Sequence, residues 1–127
     1  MLIIDDDKMN TEIIEEYLED FPSNLSFNTK VINYPFEATS EIEYVKYELI
    51  ILDIRMPGIN GIEILKKIKT SEMNSTASVL IQSASIMPEH KEACYQHGAY
   101  YYLTKPYNFN SFVDAVDRLL LVGGKNG

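Results

Sequence analysis

Apolar residues along this chain fall into two alternating patterns. Short unbroken runs, such as Leu2–Ile4 and Leu49–Leu52, read as strands covered on both faces. Between such runs the apolar positions recur every three or four residues, as on a helix that buries one side. After Leu2–Ile4, the residues Ile13, Ile14, Tyr17, Leu18 and Phe21 predict a helix of about 12 residues. Leu25, Phe27, Thr29 and Val31 alternate with Ser26, Asn28 and Lys30, which predicts a strand with one polar face at a sheet edge. A weaker helix is expected after Pro35, over Phe36–Tyr44. "YELIILD" (Tyr47–Asp53) predicts a third strand, and "RMPGING" (Arg55–Gly61) a turn built on Pro57-Gly58. Ile62, Leu65 and Ile68 mark the next helix, and "SVLIQSAS" (Ser78–Ser85) the fourth strand, with a polar end. A short polar helix over Pro88–His97 stops at Gly98, and "AYYYLTKP" (Ala99–Pro106) is the fifth strand. Phe109, Phe112, Val113, Val116, Leu119 and Leu120 give the clearest amphipathic helix, with Asn108 as its N-cap.

Strands alternating with helices imply an α/β domain with a parallel sheet and right-handed crossovers. The second strand wants an edge, and the first and third want the middle. The flavodoxin-like doubly wound (βα)5 order 2-1-3-4-5 satisfies both. No repeat or low-complexity stretch interrupts the pattern. The polar, glycine-rich "GGKNG" reads as a flexible tail or the start of a linker, so we expect one domain over 1–122 and a tail over 123–127.

Composition narrows the function. A chain of 127 residues suits one domain, and 46% hydrophobic residues suit a folded core. A net charge of -8 argues against a nucleic-acid surface and against docking to an anionic membrane. The single cysteine, Cys94, excludes an internal disulfide and reads as an inert thiol in a reduced, cytoplasmic setting. No apolar run reaches the ~18 residues of a membrane span, and the first strand is expected to stand without a signal peptide before it.

In open α/β sheets, ligands bind beyond the carboxyl ends of the strands. Those ends carry Asp5, Asp6 and Asp7 after strand 1, Asp53 after strand 3, Ser83 after strand 4 and Lys105 after strand 5. Strand 3 sits between strands 1 and 4, so Asp53 lies between the aspartate cluster and Ser83. Lys105 is about 10 Å away, within reach of an extended side chain leaning inward. Taken singly, each has a bland reading: a solvated strand end or helix N-cap for the aspartates (the role expected of Asp7), a turn cap for Asp53, a surface lysine for Lys105. Four strand ends meeting on one rim favour a site. Several carboxylates with one lysine suit Mg²⁺ and phosphate oxygens. An ionised aspartate there is a covalent phosphoryl acceptor, with Mg²⁺, Lys105 and Ser83 neutralising charge around the transferring oxygens.

The segments "LIIDDDK", "LIILDIRMPGINGIEIL", "VLIQSAS" and "YYLTKPY" resemble the receiver domain of two-component response regulators, and the resemblance spans essentially the whole chain. It implies Asp53 as phosphoacceptor. It implies Asp5 and Asp6 as the acidic pair, with Asp6 the direct Mg²⁺ ligand and Asp5 acting partly through water. The backbone carbonyl of Arg55 is the implied third protein ligand, and Mn²⁺ a substitute ion. Ser83 matches the hydroxyl that follows the phosphoryl group, Lys105 the lysine that binds a phosphoryl oxygen, and Tyr102 the switch aromatic. A cis Lys105-Pro106 bond is implied as well. Arg55 and Ser85 flank the site and are expected to tune its rate.

The implied function is a phosphorylation-activated signalling switch. The donor would be the phosphohistidine of a histidine kinase or phosphotransfer protein, because His90 and His97 lie on or beside helix 4 and read as solvated. Output to a downstream domain or protein would leave through the helix 4–strand 5–helix 5 face, which would also be the face of a homodimer. Tyr100 and Tyr101 on that face read either as edge-strand packing or as partner contacts. The phosphoprotein would not be an enzyme beyond slow Mg²⁺-dependent self-phosphorylation from small donors and self-dephosphorylation. Two rivals stand beside this reading. One is a receiver-like module that only binds partners. The other is a phosphatase with an aspartyl nucleophile, which would want a second aspartate where this chain has Arg55. Cognate kinase, signal, output and parent protein (stand-alone regulator, longer regulator or hybrid kinase) are outside what these residues specify.

Overall fold

The computed structural model of the chain describes residues 1–23, 25–56 and 58–126, and for residues 121–126 the backbone alone. Five parallel strands form the sheet: β1 (Leu2–Ile4), β2 (Lys30–Ile32), β3 (Leu49–Asp53), β4 (Ser78–Ser83) and β5 (Tyr101–Thr104). Their order is β2-β1-β3-β4-β5, the expected flavodoxin-like arrangement. The helices are α1 (Lys8–Glu19), α2 (Ala38–Tyr44, after a 3₁₀ turn over Pro35–Glu37), α3 (Gly61–Thr70), α4 (Pro88–Gln96) and α5 (Phe109–Asn126).

Strand parity divides the core in two. Leu2, Ile4, Ile50, Leu52, Val79 and Ile81 point to one face, where they pack with Ile42 of α2, Ile64, Leu65 and Ile68 of α3, and Cys94 of α4. Ile3, Leu49, Ile51, Leu80 and Leu103 point to the other, against Ile14 and Leu18 of α1 and Phe112, Val116 and Leu119 of α5. Both faces of the inner strands are covered, so their apolar runs are unbroken.

Two expectations need adjusting. The second strand is shorter than its alternating pattern: only Lys30–Ile32 pairs, because β1 offers a ladder from Leu2 to Ile4. Phe27, outside it, packs edge-on against Phe21 with ring centroids 5.2 Å apart. The turn expected after β3 is found at Gly58 (φ +76°), inside a small antiparallel ribbon with Arg55 opposite Asn60 and Met56 opposite Ile59, while Pro57 lies outside the described residues. And α5 runs on to Asn126 instead of ending near Val122, so the Gly123-Gly124 pair does not break it; each glycine costs an otherwise continuous helix only about 1 kcal/mol. Gly127 lies outside the described residues.

Two glycines set the ends of elements. A Cβ on Gly61 would sit 2.5 Å from the Ile54 Cα, so only glycine lets α3 start against the end of β3. Gly98, at φ +98°, ends α4 as its position in the sequence suggests.

Candidate functional site

The polar residues that end the strands meet on one rim. Asp53 is 5% exposed and Asp5 fully buried. Lys105 Nζ donates to both, at 3.1 Å to Asp5 Oδ2 and 3.1 Å to Asp53 Oδ2. One carboxylate oxygen from each of Asp5, Asp6 and Asp53 lies within 4.8 Å of the others. The predicted lysine reach across the sheet is therefore found. The Lys105-Pro106 bond is cis.

Local structure explains each position. Asp7 caps α1, its Oδ1 accepting from the backbone N–H of Met9 (3.0 Å) and Asn10 (3.3 Å), which frees Asp5 and Asp6 for the rim. The Arg55 N–H donates to Asp53 Oδ1 at 3.1 Å. Burial, and after it the charge of Asp5, push the Asp53 carboxyl up to about 6, against the pull of Lys105 and the Arg55 N–H. Burial opposes the charge on Lys105, but Asp5 and Asp53 outweigh it and hold the ammonium above its ordinary pKa.

Ser83, Ser85 and Tyr102 form a second cluster. The Ser85 N–H donates to Ser83 Oγ at 3.1 Å. The Tyr102 hydroxyl donates to the Ser85 carbonyl at 3.0 Å, so this ring, 4% exposed, already points inward. Ser85 Oγ accepts from the Met87 N–H at 3.2 Å and shares a hydrogen bond with His90 Nδ1 at 2.5 Å. His90 is thus exposed yet tied to the rim, which its place on a polar helix did not suggest. The backbone N–H of His97 caps the end of α4. Tyr100 is 43% exposed, and Tyr101 lies under the Arg118 guanidinium at 5.2 Å. Cys94 is fully buried, and burial pushes its thiol up to about 11, consistent with an inert group.

Sequence reasoning missed three residues. Gln82 is fully buried and is the register partner of Asp53. Its Nε2 donates to Asp5 Oδ2 at 3.0 Å. Asn10 Nδ2 donates to Asp5 Oδ2 at 2.6 Å and to Gln82 Oε1 at 3.1 Å. The Tyr107 hydroxyl donates to the same Gln82 oxygen. A signal was present for Gln82: it is a polar residue inside the run "VLIQS", with the parity that faces Asp53.

With this geometry in hand, comparison with known proteins is direct. The family described as "Response regulator receiver domain" matches residues 1–117. The chain belongs to the response regulator receiver family. As a receiver domain it is of the kind that works as a phosphorylation-driven switch in two-component signalling, a regulatory domain and not a classical enzyme. It is 31% identical over 120 residues to a probable transcriptional regulator, ycf29, of Pyropia yezoensis, covering 94% of this chain and 52% of that protein. The chain thus spans about half the length of that relative. Among solved structures, a CheY-like receiver domain protein from Methanospirillum hungatei superposes with a TM-score of 0.86 at 22% identity, covering 99% of this chain and 96% of that one. The receiver domain of the sensor histidine kinase PA1611 from Pseudomonas aeruginosa, solved with a magnesium ion coordinated in its active-site cleft, superposes with a TM-score of 0.79 at 22% identity over 93% of both chains. No helix among the described residues is long and apolar enough to cross a membrane.

Proposed function

We propose that Asp53 of this receiver accepts a phosphoryl group from the phosphohistidine of a histidine kinase or phosphotransfer protein. One observation carries the reading: a lysine shared at 3.1 Å by two buried carboxylates, with a third carboxylate beside them. The donor set fits Mg²⁺, which favours carboxylate oxygens plus water and phosphate oxygens. Asp6, Asp53 and the backbone carbonyl of Arg55 would hold it, with Asp5 acting partly through water; Mn²⁺ would fit the same oxygens. The bound ion supplies neutralisation of charge on the phosphoryl oxygens.

The chain's own residues supply the rest. An Asp53 carboxylate oxygen forms the new O–P bond while the donor's N–P bond breaks and its electron pair returns to the imidazole nitrogen. Lys105, already on Asp53, shifts its ammonium to a phosphoryl oxygen. The Ser83 hydroxyl donates to another, pulling on the Ser85 N–H and, through the Ser85 carbonyl, on Tyr102. The strand 4–helix 4 segment is then the bistable element, and output leaves through the α4–β5–α5 face toward an output domain, a partner protein or a second copy. Arg55 and Ser85 tune the lifetime of the phosphoryl group, which is limited by slow self-dephosphorylation.

The test is intact mass after incubation with Mg²⁺ and acetyl phosphate, beside the Asp53→Asn protein. One phosphoryl group on the wild type, absent when Mg²⁺ is chelated and absent from the variant, is the expected result. An adduct on both proteins would mean a different nucleophile. No adduct on either, in the presence of Mg²⁺ binding, would favour a module that only binds partners.

A further inference from the structure

Asp5 is held by more donors than a carboxylate needs. Its Oδ2 accepts from Asn10 Nδ2, Gln82 Nε2 and Lys105 Nζ, at 2.6, 3.0 and 3.1 Å, and its Oδ1 accepts from the Asp7 N–H at 2.9 Å. A carboxylate oxygen offers about two lone pairs, so Oδ2 has none left for a cation. The Gln82 amide cannot turn over to relieve this. Asn10 and the Tyr107 hydroxyl both donate to its Oε1, which fixes Nε2 on Asp5. Burial pushes the Tyr107 hydroxyl up from its ordinary pKa, so it stays a donor. A buried amide inside a strand is costly unless every bond is made, and an apolar side chain of the same length would fill β4 without that cost. The amide is therefore explained by what it does to Asp5.

We propose that Asn10, Gln82 and Tyr107 are positioning residues for the Mg²⁺ site, which keep Asp5 Oδ2 off the ion and so lower the site's affinity for it. This rests on the reading of Asp5, Asp6 and Asp53 as that site. The site is then tuned from behind, through a chain running Tyr107 to Gln82 to Asp5.

The experiment is a titration of the metal-free protein with MgCl₂, followed by the backbone amide shifts of Asp6, Asp53 and Ile54, for wild type, Gln82→Met and Tyr107→Phe. Each variant is also unfolded in urea. With one N–H donor fewer, less charge is drawn off the Asp5 carboxylate, which then attracts a cation more strongly. Gln82→Met is expected to bind Mg²⁺ roughly fivefold more tightly than wild type, the size of one ordinary hydrogen bond. Tyr107→Phe should tighten binding by less. A purely structural role gives the opposite sign, with affinity unchanged or falling alongside stability. Tyr107→Phe keeps its ring stacked near Phe112 (centroids 6.1 Å apart), so it decides the matter even if Gln82→Met fails to fold. Unchanged or weaker binding in Tyr107→Phe overturns the proposal. Wild-type protein without saturable shifts would overturn the Mg²⁺ reading itself, and the relay with it.

Discussion

The rim has two halves that the sheet separates by parity. Asp5, Asp53, Gln82 and Lys105 are in step with the residues that face α1 and α5, while Ser83 and Tyr102 are in step with those that face α3 and α4. The acid half is tied redundantly: Asp5 alone accepts four hydrogen bonds. Its neighbour α1 is capped by Asp7 and packs Ile14 and Leu18. The switch half is tied through one residue, Ser85, which meets Ser83, Met87, His90 and Tyr102. Behind it, α4 lacks a side-chain cap and buries only Cys94, and the loop before it leaves Ile86 81% and Met87 47% exposed. A segment with few buried contacts opens at low cost. The contrast places rigidity where charge must be held and looseness where a change of state must be expressed.

The largest test of this contrast is Lys105→Ala. It leaves Asp5 and Asp53 facing each other without their shared cation, and removing one partner of a buried ion pair costs about 4 kcal/mol. Urea unfolding in EDTA at neutral pH should show that loss, and MgCl₂ should recover part of it. A loss under about 1 kcal/mol would mean that the acid half is no tighter than the switch half.

Next comes pH. Asp53 is raised to about 6 from an ordinary 3.8, chiefly by burial and then by Asp5. A folded pKa above the unfolded one means that the folded state holds its proton more tightly. The associated stability is complete below about pH 4 and is lost as pH rises through 6, up to about 3 kcal/mol in metal-free protein. The stability of wild type minus that of Asp53→Asn, measured in EDTA, should therefore fall across that window. A flat difference would show that Lys105 offsets the burial of Asp53 in full.

On the switch side the effects are smaller. Tyr102→Phe removes one buried hydrogen bond to the Ser85 carbonyl, worth about 1 kcal/mol. If the loop is as loosely held as its exposure suggests, the variant should still be phosphorylated, with a weaker change in α4 amide shifts on phosphorylation. An unaltered shift change would remove Tyr102 from the switch. Ser85→Ala should be smallest in stability, under about 1 kcal/mol, because its hydroxyl bonds lie partly in solvent. Its effect should appear instead in the lifetime of the phosphoryl group, read by the decay of the modified mass.

Much of the fold was legible because the inner strands are covered on both faces. "LIILD" and "SVLIQ" announce themselves as buried runs, and the residues that abruptly end them fall on one rim. The edge strand was over-extended for the opposite reason. An alternating pattern marks a half-covered surface, but the length of the ladder depends on the neighbour, and β1 is short.

The sequence by itself determined which atoms of Asp5, Asp53, Ser83 and Lys105 arrive at the carboxyl ends, since strand order and polar termini are local properties of the chain. Only the tertiary structure decided what holds them. Asn10 of α1 and Gln82 inside β4 meet at Asp5, 5 and 77 positions away, and Tyr107 beyond β5 bonds Gln82 from behind. Hydrogen-bond partners are fixed by distances of a few tenths of an ångström between distant segments, and packing of the whole domain, not local pattern, sets those distances.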